Sequence, residues 1–368
     1  MKDHDAWYEI DNAGDMDSPA LLVYPERIHQ NISSVKTLVG DMARFRSHVK
    51  THKTKELVHV QLEAGIHKFK CATIAEAAML AECVAPDVLF AYPLCGPKIG
   101  RFIALVKAYP GTRFSAIVDD STAAGALSAA AVSAGTVVDV YVDLDIGMGR
   151  TGISPADGAT RLYQECGELA GLNILGFHAY DGHVREPDME KRKAIGERNL
   201  KPITVLAEEL GVLGYPKPQV IIGGSPTLPI YADYPEVECS SGTFILWDKG
   251  YADSLPEQPF LPAAVLLARV VSLPGDRRIC VDLGHKAVAS ENELARRVYF
   301  LNAPDLKPVS HSEEHLVLEA PAGHGWKVGD VLYGLPRHIC PTVALYDRLH
   351  LVEARNVTGS WAVVARNR

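Results

Sequence analysis

From about Arg44 to Asp248 the chain alternates short apolar runs with longer amphipathic stretches. The short runs read as strands at 44–48, 67–72, 87–91, 113–118, 137–143, 173–178, 219–222 and 236–240. Apolar positions three and four apart predict helices between them, at 54–64, 74–83, 97–108 and 186–211. Eight strands with crossover helices in about 205 residues predict a closed parallel (β/α)8 barrel. An open doubly wound sheet is the alternative, although it usually has fewer strands.

After about Leu255 the texture changes. AVLLARVVSL, RRICVDLG, RVYFLNA, EHLVLEA, GDVLYGL and SWAVVAR are separated by Gly, Pro, Asp and Asn clusters. Such spacing predicts an all-β module of about 110 residues. The early run PALLVY (19–24), followed by a helical pattern at 25–38, also reads as a strand. With eight barrel strands already assigned, it goes to the β module. The expected division is a barrel at 25–250 and a β-domain made of 1–24 plus 251–368.

Composition narrows the function. Lys+Arg total 37 against 45 Asp+Glu, a formal net charge of -8, which argues against a grip on nucleic acid. Hydrophobic residues at 47% and charged residues at 22% are those of a soluble globular enzyme. The start, MKDHDAWYEIDNAGDMD, is acidic and lacks a signal-type apolar core, and no apolar stretch reaches the roughly 18 residues of a membrane span. Seven scattered cysteines without a C-x-x-C pair predict reduced thiols and a cytoplasmic location.

Barrel enzymes carry their chemistry at the C-terminal ends of the strands. The first strand is followed by Val49-Lys50-Thr51-His52-Lys53, which could bind an anion, a metal or a carbonyl compound, or form a solvated basic loop. After the fifth comes Gly147-Met148-Gly149-Arg150-Thr151-Gly152, a literal G-x-G-x-x-G. A dinucleotide site would need an acid ending the next strand, which instead ends Phe177-His178-Ala179-Tyr180. After the seventh lies Gly223-Gly224-Ser225-Pro226-Thr227, and after the eighth Ser240-Ser241-Gly242-Thr243. Two Gly/Ser/Thr-rich loops on the last two strands fit a phosphate. A lysine after strand one and a phosphate cradle after strands seven and eight point to pyridoxal phosphate.

With these motifs in place, the chain resembles the D-threonine aldolase/D-serine dehydratase family, with the alanine-racemase-type barrel. R-x-H-V-K-T-H-K at 46–53 is similar to the family's cofactor-lysine motif, which implies that Lys50 carries the cofactor, with Ser47 where proline is usual. G-M-G-R-T-G at 147–152 implies an arginine, Arg150, at the cofactor's phenolate oxygen. By the same resemblance His178, Tyr180, Gly224, Ser225, Thr227, Gly242 and Thr243 are expected at the ring and phosphate, and His52 as a nearby base.

His338-Ile339-Cys340 in the β module could share one divalent ion, with Zn2+ favoured by the sulfur. Taken alone, the pair reads first as a core histidine and a buried cysteine in a strand or turn. The resemblance implies a metal site instead, for Zn2+ or Mn2+. H-x-C resembles the dehydratases, whereas the following P-T-V-x-L-Y-D resembles the aldolases. The family implies a small-molecule D-3-hydroxy amino acid as substrate and a homodimer. D-threonine aldolase is the first reading and D-serine or D-threo-3-hydroxyaspartate dehydratase the second. A racemase or a non-catalytic cofactor-binding protein lies further off.

Asp119, Asp120, Asp143 and Asp145 end strands and read as structural. Asp181-Gly182-His183 reads equally as pocket lining and as a turn. His285, His311, His315, His324 and His350 show no metal-type spacing.

Overall fold

The computed structural model describes residues 6–368. The chain divides into two compact units, a barrel unit of residues 35–50, 56–242 and 367–368, and a sheet unit of residues up to 34, 51–55 and 243–366. Strand β1 (Ala20–Val23) belongs to the sheet unit.

In the barrel unit, β2 (Phe45–His48), β3 (Lys68–Cys71), β4 (Asp87–Phe90), β5 (Arg113–Val118), β6 (Val138–Leu144), β7 (Leu172–Ala179), β8 (Gln219–Ile222) and β9 (Glu238–Ser241) form a closed barrel. Every neighbouring pair is parallel, and β9 closes onto β2 with Arg46 opposite Ser240. All eight strands lie where the apolar runs place them. Between them run helices such as Ile74–Glu82, Pro97–Ala108 and Met189–Val212. Thr73 and Asp188 cap two of these by accepting from Glu76 N and Lys191 N. Each cap contributes about 1 kcal/mol, and Asp188 explains why its helix starts later than the apolar pattern does. Helix Ser121–Ser133 is Ala-rich and has no polar stripe.

The barrel interior is filled in levels. Nearest the strands' N-terminal ends is an ionic level: Arg46, wholly buried, meets Asp87 at 2.5 Å and Glu238 at 3.0 Å, and Glu238 also meets Lys68 at 2.6 Å. Leu89, Ile117, Tyr141 and Ile221 form an apolar cluster. Two residues beyond Arg46 and Lys68 come His48 and Lys70, opposite one another in the β2–β3 register. Between them Ser47 turns the other way and hydrogen-bonds Gln61 at 2.5 Å. Ser47 thus ties a strand to a helix, a bond proline could not make.

The sheet unit holds β10 (Ala264–Ser272), β11 (Arg278–Val281), β12 (Val298–Phe300), β13 (Lys307–His311), β14 (Leu316–Glu319), β15 (Val331–Pro336), β16 (Arg348–Glu353) and β17 (Asn356–Ala362). The sheet runs β13-β14-β11-β10-β1-β16-β17, and β15 pairs with both β10 and β12. β1 is antiparallel to β10, with Ala20 opposite Leu267, and parallel to β16, so the early apolar run does belong to this sheet. Leu22, Val265, Leu267, Leu335 and Val352 build the core of its face. The apolar runs missed β13 and β16, whose sequences KPVSH and RLHLVE mix polar and half-exposed positions. The run SWAVVAR ends its strand at Ala362 and finishes in a turn at Val364–Arg366. Among the described residues, no helix is long and apolar enough to cross a membrane.

Candidate active site

At the C-terminal mouth of the barrel three cations converge on one aromatic ring. Lys50 Nζ lies 5.4 Å from the Tyr180 ring centroid, Lys70 Nζ 5.8 Å and the Arg150 guanidinium carbon 5.1 Å. Lys50 sits in the 3₁₀ turn Val49–Thr51 directly after β2, and its backbone N–H donates to His48 Nδ1 at 3.3 Å. Lys70 is almost fully buried and lies 3.4 Å from His178 Nε2. Burial pushes its amine down to about 7, with the charges of Lys50 and Arg46 adding to the effect and those of Asp143 and Asp181 opposing it. His178 Nδ1 in turn meets Asp143 Oδ1 at 2.6 Å. Burial, then the charge of Lys70, lowers the His178 pKa, and the neutral ring can donate Nδ1–H to the carboxylate and accept at Nε2.

Arg150 is carried by a turn that closes on itself. Asp145 accepts from Gly147 N at 2.9 Å and Gly149 N at 3.0 Å, and Asp119 accepts from Gly152 N at 2.9 Å. Gly152 has φ +102°, and a Cβ there would lie 2.5 Å from Asp145 N. The G-x-G-x-x-G amides are therefore committed to carboxylates of the same chain. The turn does not lead straight into a helix, since the next one starts at Ala159. It presents an arginine and cradles no dinucleotide. Thr151 donates to Asp143 Oδ2 at 2.9 Å, which links the Arg150 turn to the His178 pair.

Beside β8, Gly223 adopts φ +94°, and a Cβ would come 2.7 Å from the Tyr231 ring. Gly224 N donates to Thr227 Oγ1 at 3.2 Å, and Thr227 donates to Asp181 Oδ1 at 2.9 Å. Tyr231 donates to the other oxygen of Asp181, also at 2.9 Å. Thr227, expected on a phosphate, has its hydroxyl on Asp181 in this structure and so holds the loop. Ser225 Oγ lies 2.8 Å from Ser241 Oγ and joins the two Gly/Ser loops. Ser240 Oγ is buried without a hydrogen-bond partner. Gly242 follows β9 at the end of the barrel unit.

The chemistry of this donor set fits pyridoxal phosphate. An aldehyde needs an amine, which Lys50 supplies. A phosphate and a phenolate need cations and close-approaching backbone, which Arg150, Lys70 and the loops at 223–225 and 241–242 supply. The orphaned Ser240 hydroxyl is a further polar group left for a ligand.

His52, expected as a base, is placed otherwise. Its ring is fully buried, and Nδ1 accepts from Thr54 N at 3.2 Å. Burial, with the Lys53 charge, pushes its pKa down to about 3, which leaves it neutral and a poor proton acceptor. Its role is to shape the segment after Lys50.

In the sheet unit, His338 precedes the short helix Ile339–Val343, which contains Cys340. The pair thus straddles a helix start, where a strand or turn was expected. His338 Nδ1 meets Glu291 Oε1 at 2.6 Å, while Cys340 Sγ lies 3.2 Å from Thr51 Oγ1 and 3.6 Å from Thr243 Oγ1. Thr243, expected at the phosphate, therefore has its hydroxyl on Cys340. Burial works against protonation of His338, but Cys340, Glu291 and Asp248 outweigh it and raise the imidazole to about 9. Asp248 holds the helix start by accepting from Ile339 N at 3.1 Å. Among the described residues no group of three or more His, Cys, Asp or Glu forms a metal cluster. The pair nonetheless fits an open two-ligand site, because a histidine whose Nδ1 is fixed by a carboxylate is oriented as metal ligands are.

The P-T-V-x-L-Y-D segment proves to be a brace. Thr342 accepts from Ala289 N at 3.2 Å and donates to the His338 carbonyl at 2.8 Å, and Tyr346 donates to the Ala287 carbonyl at 2.7 Å. These bonds fix the chain that carries Glu291 beside the His338 helix.

Two family models match. The alanine racemase N-terminal domain covers residues 23–240, and the putative serine dehydratase domain covers 263–352. The chain belongs to the alanine racemase N-terminal domain family. Within that family it is similar to the D-threonine aldolase of an Arthrobacter species, at 27% identity over 95% of this chain and 93% of that one. The 3-hydroxy-D-aspartate aldolase of Paracoccus denitrificans is also 27% identical, over 96% and 93%. Among solved structures, the D-threonine aldolase from Filomicrobium marinum superposes with a TM-score of 0.88 at 25% identity, covering 97% of each chain.

In this racemase-family barrel the residues that sequence reasoning missed are Lys70 and Glu291. Lys70 left a signal: Lys68 and Lys70 share one face of β3, and one face of every barrel strand points inward. Glu291 left none, since it lies 47 residues from its partner in an exposed turn.

Proposed function

We propose that the protein is a pyridoxal phosphate- and divalent-metal-dependent lyase that cleaves D-threonine or a close D-3-hydroxy amino acid to glycine and an aldehyde. Its class, a pyridoxal phosphate lyase, follows from the family and its aldolase and dehydratase relatives. The observation that carries the reading is the convergence of Lys50, Lys70 and Arg150 on Tyr180 at the barrel mouth.

When bound, the cofactor supplies an electron sink for charge left at the substrate Cα. Lys50 holds it and offers Nζ as the proton acceptor and donor at Cα. Arg150 neutralises anionic oxygen, and Tyr180 covers one side of the mouth. His338 and Cys340 would hold the divalent ion, whose Lewis acidity would lower the pKa of a hydroxyl bound to it. Loss of the hydroxyl proton leads to carbon–carbon cleavage, whereas loss of the Cα proton to Lys50 leads to dehydration.

The second reading, a dehydratase of D-serine or D-threo-3-hydroxyaspartate, is favoured by the cysteine at 340 and by the serine dehydratase domain match. The proposal also includes a cytoplasmic homodimer, which a single-chain mass in sedimentation would remove. The deciding experiment offers D-threonine, D-serine and D-threo-3-hydroxyaspartate to enzyme supplied with pyridoxal phosphate and Zn2+ or Mn2+. Glycine and ammonia are measured together, with and without chelator. Chelator-sensitive glycine from D-threonine supports the aldolase, and ammonia without glycine replaces it with the dehydratase.

A further inference from the structure

We propose that Ser240 Oγ is the group that faces the cofactor's pyridine nitrogen, donating a hydrogen bond to the unprotonated ring. The inference deepens the pyridoxal phosphate reading and rests on it.

Strand β9 sets the direction of this hydroxyl. Glu238 and Ser240 are two residues apart and share one face of the strand. Glu238 turns that face into the barrel, where it meets Arg46 and Lys68. Ser240 is also the register partner of Arg46, itself wholly buried in the interior. The neighbouring Ser241 lies on the other face and is joined to Ser225 at 2.8 Å. Ser240 is therefore an inward group, one step nearer the mouth than the ionic level. It is 1% exposed, and its oxygen has no hydrogen-bond partner among the described residues. An unpaired buried hydroxyl is a cost that a ligand atom accepting from it would relieve.

The cofactor offers four polar points: aldehyde, phenolate, phosphate and ring nitrogen. On the proposed reading Lys50 takes the aldehyde, Arg150 the phenolate, and the backbone at 223–225 and 241–242 the phosphate. The ring nitrogen remains. It lies across the ring from the aldehyde carbon and so points away from the lysine. Lys50 sits in the turn beyond β2, four residues past Arg46, whereas Ser240 is in register with Arg46. A ring held by its aldehyde at that turn can direct the opposite corner down to Ser240.

The carboxylates at this end are already engaged. Asp143 is held by His178 and Thr151, Asp181 by Tyr231 and Thr227, and Glu238 by Arg46 and Lys68. A carboxylate opposite the nitrogen would favour a protonated ring, whereas a hydroxyl is too weak an acid to protonate it. The Arg150 guanidinium at the mouth also opposes a further positive charge. Without that charge the ring draws electrons from Cα less strongly.

The test compares pyridoxal phosphate, pyridoxal, and an analogue with CH in place of the ring nitrogen. Each is bound to the full-length chain freed of cofactor, as wild type and as Ser240→Ala, and affinities are read by calorimetry. Wild type is expected to prefer pyridoxal phosphate over the CH analogue about five- to tenfold, the worth of one hydrogen bond. Ser240→Ala should lose that factor for pyridoxal phosphate and for pyridoxal, and bind the CH analogue as wild type does. A loss that persists with the CH analogue and vanishes with pyridoxal puts Ser240 on the phosphate and overturns the proposal. No loss with any of the three also overturns it. If thermal unfolding shows that Ser240→Ala does not fold, wild type decides: equal affinity for pyridoxal phosphate and the CH analogue overturns the assignment. Holoenzyme carrying cofactor labelled with 15N in the ring gives a readout of its own. An unprotonated nitrogen resonance at pH 7 is expected, and a protonated one overturns the proposal. A wild type that forms no cofactor band removes the pyridoxal phosphate reading and this assignment with it, whereas the other adverse outcomes leave that reading standing.

Discussion

Asp143 makes two bonds with its two oxygens, one to His178 Nδ1 at 2.6 Å and one to Thr151 Oγ1 at 2.9 Å. The first orients the imidazole under Lys70, and the second anchors the turn that carries Arg150. Asp143→Ala should therefore lower cofactor affinity about tenfold or more, equivalent to about 1.4 kcal/mol. Thr151→Val, which loses only the second bond, should cost less. Titration of cofactor absorbance measures both, and equal affinities for wild type and Asp143→Ala would separate Asp143 from the site.

Arg46 is the buried centre of the ionic level. Replacing it by Met removes the ion-pair partner of Asp87 and leaves Glu238 with Lys68. Stranding buried charge costs about 3–5 kcal/mol, so Arg46→Met should unfold at distinctly lower urea concentration than wild type. An unchanged midpoint would show that the carboxylates find other partners.

Glu291 fixes His338 through Nδ1. Outer carboxylates of this kind change metal affinity about 10–100-fold. Glu291→Gln should weaken Zn2+ binding by that order in a chelator competition, with the cofactor band intact. Wild-type metal affinity in Glu291→Gln would make the contact incidental.

Asp181 is fully buried, and burial raises its pKa despite the hydroxyls of Tyr231 and Thr227 and the nearby His183. A carboxyl with a raised folded pKa stabilises the fold fully below its unfolded value near 3.9, and that contribution is lost as pH rises through the folded value. Asp181→Asn does not titrate. Relative to wild type it should therefore gain stability as pH rises from 4 to 7, as followed by thermal unfolding. A constant difference across that range would place the Asp181 pKa at its ordinary value.

The barrel was legible because its strands are buried on both faces and read as short apolar runs between helical patterns. β13 and β16 were not, since strands with half-exposed faces carry Lys, Ser, His and Arg that blur the alternation. In the site, Lys50 was marked by its place after the first barrel strand together with the family motif, and Arg150 by its glycine turn. Thr227 and Thr243 were expected at a phosphate, and a hydroxyl in a loop looks the same in the sequence whether it serves a ligand or a neighbour, here Asp181 and Cys340. Lys70 was passed over because a charged residue in a strand reads as solvent-facing until the barrel closes around it. His52 was expected as a base because it lies two residues from Lys50, and its complete burial is invisible in the sequence.

Arg46, Lys68, Asp87 and Glu238 carry two positive and two negative charges, so the ionic level cancels itself. At the mouth, by contrast, Lys50, Lys70 and Arg150 gather around Tyr180, while the carboxylates of Asp119, Asp143 and Asp145 are held by the chain's own donors. The chain as a whole carries -8 and repels anions at a distance. An anionic amino acid or phosphate ester thus feels attraction only within roughly the 8 Å screening length of physiological salt. Capture by such a short-ranged trap should be governed by diffusion to the mouth itself, with little long-range steering for salt to abolish.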